Sequence, residues 1–266
     1  MSQPVITLYD IQSTIPQPWA PNIWRIRCAL TSHSARRERS MTLLHRFVLN
    51  YKRLPYRTHW IEASDVENVL RQLNVPPTSY RSDGRPVYTL PVIFDPRSGK
   101  SLSNANHIAE YLEYAYPARP IFPEGSRALQ CLFVHYIQEV FAKPLLPIMV
   151  PMTHLRLPER SRAHFMGPQA QQPPSQLTPA QREQAWQAVK EQFDTLADLL
   201  DKNSGTDGDG VVAMGREVSY ADFALCAVLI WIEKVAPQDG WTRIRQWNGG
   251  RWMRLWERCT DYMDVF

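Results

Sequence analysis

The 266-residue sequence lacks the cysteine patterns that organise many small domains. Its four cysteines stand far apart, with no CxxC pair and no histidine at the spacing of a metal ligand. This spacing indicates neither a structural zinc site nor a disulfide framework, and it favours buried thiols in a reducing compartment. We therefore expect no metal site. The cysteines are Cys28, Cys131, Cys226 and Cys259.

Long apolar runs are also missing. No window approaches the ~18 uninterrupted apolar residues of a membrane-spanning helix. The first ten residues, MSQPVITLYD, lack the basic start and apolar core of a signal peptide and instead begin a strand. We expect a soluble cytoplasmic protein that makes no use of a membrane.

Charge of one sign is in small excess only. There are 30 Lys and Arg against 26 Asp and Glu, a formal net charge of +4, and 44% of the residues are apolar. Nine Trp, eleven Tyr and nine Phe exclude a mainly disordered chain and fit one large or two ordinary domains. A small basic excess predicts a nucleic-acid binder only if it is concentrated on one face.

The first 120 residues have the pattern of an α/β domain. Short β-branched segments at 5–10, 57–63 and 88–95 are bounded by Pro, Gly, Asn or Asp and predict strands. Residues 104–117 carry apolar side chains at helical spacing and predict a helix. Strands that alternate with helices indicate a domain over 1–120.

The remainder, over 126–266, has the pattern of an all-helical domain. Its apolar-periodic segments are bounded by Pro or Gly, and none has the pattern of a strand. The polar, Pro-rich stretch 156–177 predicts an exposed connection between helices. The predicted helical segments are 128–149, 178–202, 219–235 and 249–263.

One motif points to a binding function. In YTLPVIFD, Pro91 directly precedes an apolar strand, where proline cannot donate to a sheet. Alone, such a proline marks a turn or an edge as readily as a site. About ten residues later, SLSNANHIAEYLE opens an amphipathic helix whose free backbone N–H groups can hold a carboxylate. A thioredoxin-like domain presents its backbone to a small peptide in this way.

With these segments in place, the sequence resembles the glutathione transferases over nearly its whole length. The resemblance rests on ITLYD, NYKRLPY, YTLPVIFDP, the IAEYLE helix and a helix opening with Ser219 and Asp222 as a capping box. It implies a thioredoxin-like N-terminal domain, an all-α C-terminal domain and a homodimer. PWAPNIW, VPPTS and YTLPVIFDP look most like the fungal class related to bacterial β-etherases.

The resemblance also implies a glutathione site. Pro91 would be the cis proline, and Leu90 with Pro91 would align the peptide backbone of glutathione. Asn104 and Ala105, at the helix start, would hold its γ-glutamyl end. The family usually has a serine where this chain has Ala105, so one neutral hydrogen bond, worth ~1 kcal/mol, is lost.

Thiol activation departs further from the family pattern. The first strand-to-helix loop of the etherase-like class has a serine where this chain has Ala20, and a methyl group donates no hydrogen bond to a thiolate. Asn22 is the nearest amide that could donate instead. It could equally cap the following helix or satisfy loop backbone, so its catalytic role stays open.

The family places its second substrate between the first loop and the start of the helical domain. If these side chains face a cleft, flat aromatic ligands would suit it, but aromatic residues at helical spacing are more often core. The candidates for this pocket are Ile15, Trp19, Trp24, His135, Tyr136 and Glu139.

A segment of about nineteen residues, 31–49, interrupts the family pattern. It holds four arginines and one glutamate, a net charge of +3, so the rest of the chain is close to neutral at +1. Three interpretations compete: a basic loop for nucleic acid or an acidic partner, a solvated helix extension suggested by Leu43, Leu44 and Phe47, or translated intervening sequence. We favour translated intervening sequence, because it accounts for the interruption of the family pattern without assigning the segment a function.

The resemblance implies that glutathione is the co-substrate and that its thiolate attacks hydrophobic or aromatic electrophiles, a detoxifying reaction. The alternative is a ligandin-type protein that binds aromatic compounds without conjugating them, because Ala20 replaces the serine. A nucleic-acid binder would rest on the basic segment alone.

Overall fold

A computed structural model describes residues 5–15, 42–166, 177–203, 205 and 208–264. These residues form two compact units. The first unit falls within 1–118 and 157–172, and the second within 119–156 and 173–264.

The first unit is built on a mixed sheet of four strands. The strands are β1 (Ile6–Ile11), β2 (Tyr56–Ile61), β5 (Val92–Asp95) and β6 (Lys100–Ser103), with a small separate pair β3 (Ser79–Tyr80) and β4 (Pro86–Val87). Their order in the sheet is β2-β1-β5-β6; β1 and β2 are parallel, whereas β5 is antiparallel to both β1 and β6. The helices are α1 (Thr42–Tyr51), α2 (Val66–Gln72), α3 (Ala105–Ala115) and α6 (Glu159–Met166).

One face of this sheet packs against α1 and α3. Leu8 and Ile93 are register partners on β1 and β5, and both are fully buried. On the same face Asp10 accepts a hydrogen bond from Arg46 of α1, and Asp95 accepts one from Tyr111 of α3. The helices are thus fixed to the sheet by buried apolar contact and by charge, and the predicted thioredoxin-like α/β fold is confirmed.

Helix α1 corrects the interpretation of segment 31–49 as dispensable sequence. Residues 42–49 are the greater part of α1, and Leu43, Leu44 and Phe47 are at most 3% exposed. These three side chains therefore belong to the core and do not form a solvated extension. Residues 31–41 lie outside the described residues.

Arg46 is the polar anchor of α1. Its side chain is 1% exposed and donates to Asp10 at 2.9 Å and to Thr58 at 2.9 Å. Its guanidinium also lies 5.0 Å from the ring centroid of Trp60. Of the four arginines in segment 31–49, Arg36, Arg37 and Arg39 lie outside the described residues. The fourth, Arg46, is buried in its ion pair with Asp10 and is not part of a basic loop.

The second unit is all helical over its described residues, as predicted. Its helices are α4 (Arg127–Tyr136), α5 (Leu146–His154), α7 (Pro179–Leu200), α8 (Tyr220–Val235), the short α9 (Thr242–Ile244) and α10 (Arg251–Cys259). The single helix predicted over 128–149 is interrupted by a π turn at Ile137–Phe141 and a 3-10 turn at Lys143–Leu145. The predicted connection at 156–177 contains α6, which belongs to the first unit.

Helix α8 forms the centre of the second unit. The predicted capping box is present, since Ser219 donates to Asp222 at 2.7 Å and the Asp222 carboxylate accepts the Ser219 N–H at 2.9 Å. Burial raises the pKa of Asp222 to about 6, although its hydrogen bonds act in the opposite direction. Gln130 of α4 donates to Ser219 and accepts from the Ala221 N–H, so the cap also ties α4 to α8.

We predict that Arg46→Met lowers the free energy of unfolding by about 3 to 5 kcal/mol, because it leaves the Asp10 carboxylate buried without its cation. The measurement is urea unfolding of the full chain. Arg46→Met combined with Asp10→Asn should recover much of the loss.

The matched control is Arg71→Met, whose partner Glu67 lies one turn away on the exposed surface of α2. That pair should contribute less than about 1 kcal/mol. An Arg46→Met loss as small as the Arg71→Met loss would contradict the assignment of α1 as a core helix.

Candidate functional site

The hairpin of β5 and β6 brings two predicted site segments to one end of the sheet. Val92 at the start of β5 is the register partner of Ser103 at the end of β6. Pro91 and Asn104 are the next residues beyond this pair. Because paired strands lie ~4.8 Å apart, the two positions are neighbours.

The Leu90–Pro91 peptide bond is cis, as the resemblance implied. Leu90 is 2% exposed, and Pro91 is also buried. A cis peptide reverses the chain sharply, so β5 begins directly after it. The preceding loop is fixed by Thr78, whose hydroxyl lies 2.8 Å from that of Thr89 and donates to the Val87 carbonyl at 2.9 Å.

Asn104 is the N-cap of α3 and has an unusual backbone, with φ of 75° and ψ of 129°. Its side-chain oxygen accepts from the Asn106 N–H at 2.9 Å and from the His107 N–H at 3.4 Å. Non-glycine residues seldom adopt such a φ, and strain of this kind is concentrated at functional sites. Since the oxygen is engaged in capping, the Asn104 amide NH₂ is the group left to meet a ligand.

The start of α3 suits a carboxylate. Ala105 occupies the first helical position, where a backbone N–H has no acceptor inside the helix. The first turn of α3 has no acidic side chain, so nothing there opposes an anion.

His45 is a supporting residue that the sequence analysis missed. Its side chain is fully buried, and its Nε2 lies 3.0 Å from the Ala105 carbonyl oxygen. Helix α1 thereby fixes the first residue of α3. The helical spacing of apolar residues over 42–51 is the sequence signal that points to this residue.

Four predicted residues lie outside the described residues, so their roles stay predictions. Among the remaining pocket candidates, Ile15 is half-buried in the loop after β1, where its N–H donates to the Ser13 hydroxyl at 3.1 Å. The residues outside are Trp19, Ala20, Asn22 and Trp24.

The other pocket candidates belong to the second unit. His135 is exposed on α4, whereas Tyr136 and Glu139 are half-buried. Burial raises the pKa of Tyr136, whose ring centroid lies 6.2 Å from that of Phe133 and 6.5 Å from that of Phe141. Tyr136 thus combines a partly core position with a hydroxyl that stays protonated at neutral pH.

Within the described residues, no group of three or more His, Cys, Asp or Glu side chains is arranged to hold a metal ion. No helix among these residues is long and apolar enough to cross a membrane. Cys226 and Cys259 are buried free thiols and Cys131 is half-buried.

Comparison with known families agrees with this geometry. Residues 44–120 match the model of the glutathione S-transferase N-terminal domain, and residues 128–262 match that of the C-terminal domain. The chain belongs to the glutathione S-transferase family. The first match begins inside α1, so this helix and the β5–β6 hairpin both lie within the family's N-terminal domain.

Fungal members of the family are similar over the full length. The glutathione S-transferase-like protein ustS of Aspergillus flavus is 26% identical, over 96% of this chain and 90% of its own length. The crystal structure of glutathione transferase GSTFuA3 from Phanerochaete chrysosporium is 31% identical and covers all of both chains with a TM-score of 0.83. The structure of CsGST63524 from Ceriporiopsis subvermispora, in complex with glutathione, is 31% identical with a TM-score of 0.81 and covers 98% of this chain and 99% of its own.

Proposed function

We propose that this transferase binds glutathione at the β5–β6 hairpin and transfers it to hydrophobic or aromatic electrophiles. The observation that carries the proposal is the juxtaposition of the cis Leu90–Pro91 bond with the strained cap Asn104. Backbone groups beside a cis proline can pair with an extended peptide, and the N-terminus of α3 can hold its carboxylate.

In this reaction the glutathione thiolate forms a bond to an electrophilic carbon, and the leaving group departs with the electron pair of the bond that breaks. The protein must bind the peptide and favour the thiolate over the thiol. Leu90, Pro91, Asn104 and Ala105 serve binding. We assign thiol stabilisation to Asn22, since Ala20 has no donor.

We further propose that the chain belongs to the fungal class related to the β-etherases and has a cytoplasmic, detoxifying role. Its full-length likeness to fungal glutathione transferases supports only the fungal part of this proposal. An aromatic electrophile fits the half-buried Tyr136, which offers a ring and a hydroxyl. The other residues that we propose for the second substrate are Ile15, Trp19, Trp24, His135 and Glu139.

A ligandin-type protein is the second candidate, favoured by one specific feature. The sequence has Ala20 at the position of the family's serine. Losing one donor to a developing anion can cost roughly two to three orders of magnitude in rate. Binding of glutathione and aromatic compounds would then outlast conjugation.

Glutathione binding is tested by calorimetric titration of the wild type and Asn104→Gly. Glycine accepts the positive φ, so the substitution removes the amide while the backbone N–H groups remain. We expect affinity to fall about threefold to tenfold, the effect of one neutral hydrogen bond.

The matched control for this titration is His107→Ala, an exposed side chain in the same helical turn whose backbone N–H stays in place. Its affinity should equal that of the wild type. Equal affinity of Asn104→Gly and wild type would remove Asn104 from the site, and absence of any saturable binding would refute the proposed function.

Conjugation of a chlorodinitrobenzene by the wild type, Ala20→Ser and Ala20→Gly separates enzyme from ligandin. If Ala20 prevents thiol activation, Ala20→Ser should be faster by roughly 100-fold to 1000-fold, while Ala20→Gly stays at the wild-type rate. An active wild type that gains nothing from serine would favour the transferase, and its loss of rate on Asn22→Ala would assign the donor.

We also propose that the chain forms a homodimer through α4. Leu129 and Leu132, three residues apart on one face, are 63% and 62% exposed, which is unusual for leucines on a helix that also has a buried face. Burying them against a second copy would remove this apolar surface from water.

Sedimentation of the wild type is expected to show a dimer, and Leu129→Glu combined with Leu132→Glu should shift it to the monomer because charges would be buried in the interface. Leu199→Glu, at a leucine 50% exposed on α7, is the control and should stay dimeric. A double variant that remains dimeric would exclude this face.

A further inference from the structure

A second concave surface lies on the sheet face opposite α1 and α3. Register pairs Arg57 of β2 with Thr7 of β1, Thr7 with Phe94 of β5, and Phe94 with Ser101 of β6. Side chains of directly paired residues lie on the same face, so these four form one row across the whole sheet. Tyr9 follows Thr7 by two residues and shares this face.

This row forms the floor of a cleft of about 460 Å³. The volume is within the range of small-molecule sites. The cleft is lined by Thr7, Tyr9, Arg57, Leu73, Asn74, Phe94, Gly99 and Ser101.

The charge of the cleft is positive. Arg57 donates from Nε to the Thr7 hydroxyl at 3.1 Å, which holds the guanidinium over the sheet. No carboxylate lines the cleft, and within the described part of the chain no Asp or Glu forms an ion pair with Arg57. The guanidinium nitrogens beyond Nε are therefore available to an anion.

Tyr9 adds a hydroxyl donor. Its side chain is 9% exposed, and its ring centroid lies 5.4 Å from that of His59 in an edge-on arrangement. Burial raises the pKa of Tyr9 although Arg57 acts in the opposite direction, so the hydroxyl keeps its proton. Among the described residues this hydroxyl has no hydrogen-bond partner, and it is not one of the fully buried polar atoms, so a ligand in the cleft can reach it.

Phe94, on the strand next to β1, gives the floor an aromatic surface beside these polar groups, and it is half-buried. A ligand that contacts the Phe94 ring and also pairs with Arg57 and the Tyr9 hydroxyl must combine a flat apolar body with a negative group. The cleft is separate from the hairpin site, because Phe94 lies three residues along β5 from Pro91, about 10 Å at the rise of a strand. Gly99, at the opposite end of the hairpin, closes the cleft.

We propose that this cleft binds a small aromatic carboxylate. The carboxylate pairs with Arg57 and the Tyr9 hydroxyl, and the ring lies on Phe94. The inference is independent of the proposed transferase activity, since none of Leu90, Pro91, Asn104 and Ala105 lines the cleft.

The test is calorimetric titration of the full chain with 4-hydroxybenzoate, which we expect to bind saturably with one site per chain. Arg57→Gln should weaken binding at least tenfold, and Tyr9→Phe, which removes only a hydroxyl that donates to the carboxylate, should weaken it about tenfold. 4-Hydroxybenzamide, of the same shape without the charge, should bind at least tenfold more weakly.

Arg81→Gln is the matched control, because Arg81 is an exposed arginine outside the cleft and should leave affinity unchanged. Thermal unfolding of each variant verifies folding, and Arg57→Lys, which keeps the charge, should retain part of the affinity if Arg57→Gln is unstable. Competition by glutathione would place 4-hydroxybenzoate at the proposed glutathione site, beside Pro91 and Asn104, instead of in the cleft. Such competition, equal binding by Arg57→Gln, or no saturable binding would each overturn the proposal.

Discussion

The antiparallel pairing of β5 with β6 is the constraint on which the first unit depends. It sets the cis Leu90–Pro91 bond beside Asn104, and it aligns Phe94 with Ser101 on the face of the sheet away from α1 and α3. A shift of register by one residue would exchange the faces and separate the cap from the proline. The proposed glutathione site and the proposed carboxylate cleft lie towards opposite ends of the hairpin. Both therefore depend on the same few backbone hydrogen bonds between β5 and β6.

Helix α1 stabilises this arrangement from the face of the sheet that it shares with α3. Arg46 ties it to β1 and β2, and His45 contacts the Ala105 carbonyl. Lys52, the residue directly after α1, pairs with Glu113 of α3 and donates to the Tyr116 carbonyl. Breaking a buried ion pair costs more than the pair contributes, so these contacts fix one position of α1 against α3. The strain at Asn104 persists because the groups on both sides of it are held.

The two faces of the sheet differ in chemistry for the same reason. Side chains alternate along each strand, so β1 sends Leu8 and Asp10 to α1 and α3, and Thr7 and Tyr9 to the other side. The first face is closed by helices, where Asp10 pairs with Arg46 and Asp95 accepts hydrogen bonds from Tyr111 and Tyr116. Among the described residues, the second face leaves Arg57 without an anionic partner and the Tyr9 hydroxyl without a hydrogen-bond partner, which is an arrangement that a ligand can complete.

The sequence by itself determined the class of the fold, the strand after Pro91, the helix start at Asn104 and the cap of α8, because periodicity, proline and capping residues act over a few neighbours. It could not show that residues 42–49 are core, since a short apolar helix beside basic residues has the same pattern whether it is buried or solvated. Only the tertiary structure decided that Arg46 meets Asp10, that His45 meets Ala105, and that Arg57, Tyr9 and Phe94 share a cleft. Those contacts join strands and helices far apart in the chain, and they form only when β1, β2 and β5 pair across the sheet, which places side chains of distant segments on one face.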